Sequence, residues 1–208
     1  MIFGMNKNRK NERGYTAVEV MMSMTLLLVG AVGVMAMQRA AVQGNTDARE
    51  MDVASSIARG WLERAERDSA LWTPSTVAAS PPANLQYAPI IAEGVVTNAA
   101  GTWFVPKARF NAGGGQNDIE SPGFDILGQD MGNLTANGLR YCVNLRVTPL
   151  TTDQTLMRVE ARVFWPRNLT VAPDANYCNQ APPAALDTDT SKYHFVYAAT
   201  AVRQNAQP

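Results

Sequence analysis

Residues 14–37 read GYTAVEVMMSMTLLLVGAVGVMAM, and the rest of the chain is organised around this run. From Tyr15 to Met37 it holds one carboxylate, Glu19, and no basic residue. A helix of about 23 such residues, rising about 1.5 Å per residue, is long enough to cross the hydrocarbon core of a bilayer. A membrane is therefore the first expected partner.

The flanks set the orientation. Lys7, Arg9, Lys10 and Arg13 stand before the run against Glu12 alone, a basic patch that holds the N-terminus on the cytoplasmic side while the rest crosses. A plain signal anchor or an atypical secretory signal accounts for the patch and the apolar run, but not for Glu19. A carboxylate in hydrocarbon costs at least about 2.5 kcal/mol and persists mainly where a partner or a function requires it. The chain has no cation nearby in the membrane. Cutting the peptide bond after Gly14 would create one, the α-amino group of Tyr15, near the level of Glu19 in a neighbouring copy.

A basic leader, Gly14, the aromatic Tyr15, a Thr-Ala-Val spacer, Glu19 and then an unbroken apolar helix together resemble the class III signal of type IV prepilins. The resemblance covers residues 1 to about 40. It implies cleavage between Gly14 and Tyr15 by a membrane prepilin peptidase, N-methylation of Tyr15, and pairing of Glu19 with a neighbouring subunit's N-terminus during assembly. A shorter stretch, Arg-Val-Glu-Ala-Arg-Val-Phe-Trp-Pro at 158–166, resembles a strand of PilV-type minor pilins and of the related I-type minor pseudopilins of type II secretion.

Removing the leader, residues 1–14, leaves 194 of the 208 residues, enough for one long helix and one head. The leader takes four of the 18 basic and one of the 18 acidic residues, so the remainder carries a formal charge of about −3. No basic stripe survives cleavage, and no nucleic acid is expected as a partner. With the head outside the cytoplasm, the only two cysteines, Cys142 and Cys178, are expected to be bridged rather than separate buried thiols. Closing a loop of that size stabilises by about 2 to 4 kcal/mol.

Beyond Met37 the helix is expected to continue as an amphipathic half, residues 38–67. Asp47, Met51, Ala54, Ala58, Trp61 and Ala65 recur at steps of three and four on one face, with Trp61 and Leu62 as the expected head contacts. Gly30, Gly33 and Gly44 are weak spots, each costing up to about 1 kcal/mol against alanine. Close helix approach or local unwinding would use them; the helix-breaking proline of many pilins is missing, the first proline being Pro74. The helix is expected to stop between Asp68 and Pro74.

Residues 68–208 form the expected head. Pro74, Pro81, Pro82 and Pro89 mark Trp72 to Ala100 as loop with at most short ordered pieces, wrapping the base of the head. Thr102 to Phe110 reads as a first strand that Pro106 confines to an edge. Asn111 to Asn137, with Gly113, Gly114, Gly115, Asp118, Glu120, Asp125 and Asp130, reads as a solvated loop. It lacks the Gly-Lys-Ser/Thr of a phosphate loop and the ligand spacing of an EF-hand. Leu139 to Thr148 and Leu156 to Trp165 predict an antiparallel hairpin, with Val159, Ala161, Val163 and Trp165 on one face. Arg158, Glu160 and Arg162 occupy the other face, where Phe164 is an exception. Tyr193 to Arg203 adds a strand with Tyr193, Phe195 and Tyr197 on one side. Between them runs the connection 166–192, which a Cys142–Cys178 bridge would pin to the hairpin. The expected class is α+β, a long N-terminal helix packed on an antiparallel-sheet head.

Nothing in the sequence assembles an enzyme. His194, the single histidine, falls inside a strand-like aromatic run; no Gly-x-Ser-x-Gly or metal-spaced carboxylates occur, and neither a metal nor a cofactor is expected. Asn133 and Asn168 match the glycosylation sequon, a pattern short enough to arise by chance. The resemblance implies a minor pilin of a type IV pilus, with other pilins and minor pilins as partners. Its head would be periplasmic and its helix in the inner membrane before assembly, and it would lie at the cell surface in the pilus afterwards. A minor pseudopilin of a type II secretion system and a pilus-tip adhesin or single-pass anchored binding module are the alternatives.

Overall fold

The computed structural model describes residues 14–72, 89–107, 121–131, 138–167, 178 and 191–204. Outside the described residues lie the basic leader with Glu12, Pro74, Pro81, Pro82, the glycines at 113–115, Asp118, Glu120, Asn133, Asn168 and most of the connection 166–192. The chain divides into two units, Met1–Ala48 and Arg49–Pro208, and helix α1, Ala17–Ala70, contributes to both.

In the first unit the helix is long and apolar enough to cross a membrane, with its apolar side chains exposed. Its hydroxyls turn back on the helix: Ser23 Oγ donates to the Glu19 carbonyl and Thr25 Oγ1 to the Met22 carbonyl, both at 2.8 Å. Such back-bonding satisfies these two hydroxyls without a partner from outside the helix.

In the second unit α1 lies on a five-stranded antiparallel sheet. The strands are β1 (Trp103–Phe104), β2 (Gly123–Phe124), β3 (Tyr141–Pro149), β4 (Leu156–Pro166) and β5 (Tyr193–Arg203). Their order is β1-β3-β4-β5, with β2 also on β3, so the two short strands share one edge of β3. The expected hairpin is β3–β4, in a register that sets Val143 opposite Val163 and Val147 opposite Val159. The expected third strand is β5, with Phe195 opposite Phe164.

Strand alternation sends Val143, Leu145 and Val147 of β3, and Met157, Val159, Ala161, Val163 and Trp165 of β4, to one face. All are buried, in one cluster with Ala54, Ile57, Ala58, Trp61, Leu62 and Ala65 of α1. The expected helical stripe is thus shorter at its start: Asp47 and Met51 are exposed, and the packed face begins at Val53 and Ala54. Helical periodicity carries on past the last turn that the sheet covers, so spacing alone places the boundary too early.

Three loop readings need adjusting. Within Trp72 to Ala100, a helical turn α2 (Pro89–Ala92) and a π-helical turn (Glu93–Thr97) bring Ile90 and Ile91 fully into the core. The Asp68 carboxylate accepts the Ile90 N–H at 3.1 Å, and buried Glu93 accepts the Lys107 N–H at 3.0 Å. Of the expected strand at 102–110, residues 108–110 lie outside the described residues, and within 102–107 only β1 is strand, an edge piece before Pro106. The glycine-rich stretch is not solvated throughout, because Gly123 and Phe124 pair with Cys142 and Tyr141, and Phe124 and Ser121 are buried. Asp125 there holds a turn by accepting the N–H groups of Leu127 and Gln129, each at 2.8 Å, and Asp130 pairs with Arg64 at 3.1 Å.

The outer face of the sheet carries its own small core. The Cys142–Cys178 disulfide packs with Leu139 and Phe164, and Met131, Tyr193 and Phe195 lie against them. Phe164 breaks the polar alternation of β4 because it serves this second cluster.

Gly94 sits where the π-helical turn presses on β3: an added Cβ would fall 2.6 Å from Val147 Cβ and 3.0 Å from Phe104 Cε1. Gly94→Ala is expected to destabilise the full chain in detergent by about 1–3 kcal/mol, read as a lower urea midpoint at unchanged slope. Gly60→Ala in α1, where a Cβ meets nothing within 4 Å, should stabilise by up to about 1 kcal/mol, read as a higher urea midpoint.

Candidate functional site

Helix α1 starts two residues after Tyr15, and its start has a local cause. Thr16 caps it: its Oγ1 accepts the Glu19 N–H at 3.3 Å, while its carbonyl accepts the N–H groups of Glu19 at 3.0 Å and Val20 at 3.3 Å. Thr-x-x-Glu before an apolar run is a capping-box sequence, legible without a structure and missed in the reading above. Glu19 stands in the first turn, where the helix dipole favours a negative charge.

Two consequences follow for the residues singled out by the sequence. Gly14 and Tyr15 lie outside the helix and are exposed, Tyr15 by 82%, so their shared peptide bond is held in no hydrogen-bonded ladder. Backbone of that kind is what a protease grips. Glu19 lines one open groove with Ser23, Met24 and Leu27 of the helix and with Tyr15 just before it, and among the described residues no cation pairs with it. That side therefore carries a carboxylate whose charge is unanswered among the described residues.

Of the other candidates, Cys142 and Cys178 are joined. His194 is in β5, stacked on Trp165 with ring centroids 5.2 Å apart. Asp125 and Asp130 are engaged in the turn and the ion pair above. Among the described residues no three His, Cys, Asp or Glu side chains group at metal-binding distance.

Tertiary structure adds two polar arrangements that spacing does not reveal. Glu50 on α1 accepts Arg140 Nη2 at 2.5 Å through one oxygen and Trp165 Nε1 at 2.8 Å through the other. Partners 90 and 115 positions away in the chain leave no local signature. Tyr141 lies edge-on to Trp165, and burial first, then the charge of Glu50, pushes its phenol above the ordinary 10.0. On the outer face Trp103 lies over two guanidinium groups, 4.6 Å from Arg146 and 4.5 Å from Arg162. Arg162, on the face read as polar, is completely buried there and donates to Asn144 Oδ1 at 2.8 Å. Arg146 also grips Glu160 with two bonds, at 2.6 and 2.9 Å.

Searches against protein-family models, curated proteins and solved structures find no match to this chain.

Glu50→Ala should cost about 3 kcal/mol, because it strands the Arg140 charge and the Trp165 N–H at once. A double-mutant cycle with Trp165→Phe, run by denaturation, should show non-additivity. The bond from Arg146 is the largest cause holding Glu160 below its ordinary 4.5. A depressed carboxylate stabilises above its unfolded-state value and loses that contribution as pH falls through the folded one. Wild type should therefore outlast Glu160→Gln in urea near neutral pH, and the gap should close on acidification below about pH 4.5.

Proposed function

We propose that this chain is a minor pilin of a type IV pilus, cut between Gly14 and Tyr15 and drawn from the inner membrane into a filament by its N-terminal helix. One observation carries the reading: an exposed, non-helical Gly14–Tyr15 bond stands just before a capped apolar helix whose first-turn carboxylate has no cation of its own among the described residues. The α+β head, with its amphipathic half-helix on an antiparallel sheet, supports it as well.

The physics of assembly follows from Glu19. Left alone in hydrocarbon its charge costs at least about 2.5 kcal/mol, and an α-amino group at Tyr15 of a neighbouring subunit would offset that cost. The same contact sets the stagger between adjacent helices, since only one stagger brings an N-terminus level with the carboxylate. Prepilin peptidase and other pilins and minor pilins are the partners this mechanism needs. The disulfide suits a head that spends its life in the periplasm and then at the cell surface.

Intact-mass and N-terminal analysis of the protein from membranes and from sheared pili tests the reading. The expected product begins at an N-methylated Tyr15 and is present in the sheared fraction; a mature chain beginning anywhere else overturns it. In cells unable to retract pili, Glu19→Ala should reduce incorporation by about tenfold or more, in line with the cost of the unpaired charge.

A further inference from the structure

Strand β5 closes the sheet on one side, and its backbone shows which groups it leaves over. Arg167 N donates to the Lys192 carbonyl at one end of the β4–β5 ladder, and Gln204 N to the Thr155 carbonyl at the other, at 2.8 and 2.9 Å. With the register between them, these bonds put Lys192, His194, Val196, Ala198, Thr200, Val202 and Gln204 in the hydrogen-bonded pairs. The alternate residues, Phe195, Tyr197, Ala199, Ala201 and Arg203, turn their N–H and C=O groups away from β4. Among the described residues nothing bonds to that edge between Phe195 and Arg203, and Tyr197, Ala199, Ala201 and Arg203 are exposed.

An edge of this length is usually guarded by prolines, lysines, bulges or a covering loop. From Phe195 to Val202 β5 has no proline, no charge and an unbroken register. Its side chains on the outer face grade from aromatic, Phe195 and Tyr197, to small, Ala199 and Ala201, and end in Arg203, which has no carboxylate partner among the described residues.

We infer that the edge of β5, left open among the described residues, receives an extended strand from another polypeptide, added antiparallel as a sixth strand of the sheet. Backbone hydrogen bonds from the five outward-facing residues supply the affinity. The side chains set the preference: β-branched residues beside Phe195 and Tyr197, and an acidic residue at the amino end of the incoming strand, opposite Arg203. This inference rests on β5 alone and stands or falls separately from the assembly of the N-terminal helix.

The probe is a short fluorescein-labelled peptide of alternating threonine and valine with one N-terminal glutamate, titrated into the full chain in detergent. Saturable binding is expected, with slowed amide exchange at Phe195, Tyr197, Ala199, Ala201 and Arg203. Ala199→Pro removes an outward N–H without touching the β4 ladder, and Ala201→Lys restores an edge guard; each should weaken binding by about tenfold or more. Arg203→Glu should switch the preference to a peptide with lysine in place of glutamate. Equal binding by both edge variants, or by a peptide N-methylated at alternate amides, overturns the inference. So does self-association of the chain through β5 that shuts the peptide out, since the occupant would then be a second copy.

Discussion

The head depends on one sheet face being taken out of water by a helix that can lie close to it. Ala54, Ala58 and Ala65 keep the surface of α1 shallow, so Trp61 and Leu62 reach the layer formed by Val159, Ala161, Val163 and Trp165. Apolar area removed from water stabilises by about 25 cal/mol per Å2, and β4, flanked on both sides, contributes most of that face. Burial outweighs some polar loss here. The Trp61 indole N–H is buried without a hydrogen-bond partner among the described residues, a penalty of about 1–3 kcal/mol, whereas the Trp165 N–H is answered by Glu50.

The Glu50 contact adds direction to what is otherwise a non-directional contact. Hydrophobic packing tolerates a helix that slides, but a carboxylate shared between Arg140 and Trp165 does not. Further along α1, Arg64 meets Asp130, Glu66 accepts Thr200 Oγ1 at 2.8 Å, and Asp68 accepts the Ile90 N–H. Polar ties at both ends of the buried stripe fix where the helix stops along the sheet.

Opposite this core, the outer face is a mixed layer. Trp103 covers Arg162, the disulfide anchors Cys178 beside Phe164, and Tyr193, Phe195 and Tyr197 continue the aromatic row along β5. An aromatic ring and an amide carbonyl stand in for part of the water that this buried guanidinium gives up. The face thus reads as polar in sequence and as half-buried in space.

The sequence by itself determined the features whose cause is local. The apolar span, Glu19 and the basic residues before it follow from composition over a few turns, as do the periods of β4 and β5; the Thr16 cap is equally local, although it was not drawn from the sequence. The α+β class followed from those periods together, since a stripe of alanine and tryptophan at helical spacing and a strand with one apolar face each need the other. What only the tertiary structure decided lies between residues far apart in the chain. Glu50 with Arg140 and Trp165, Gly94 against Val147, β2 on β3 and the burial of Arg162 under Trp103 all depend on which surfaces meet. A hydrophobic pattern states that a face must be covered, but the hydrogen bonds and close approaches that choose the cover form only once the elements are side by side.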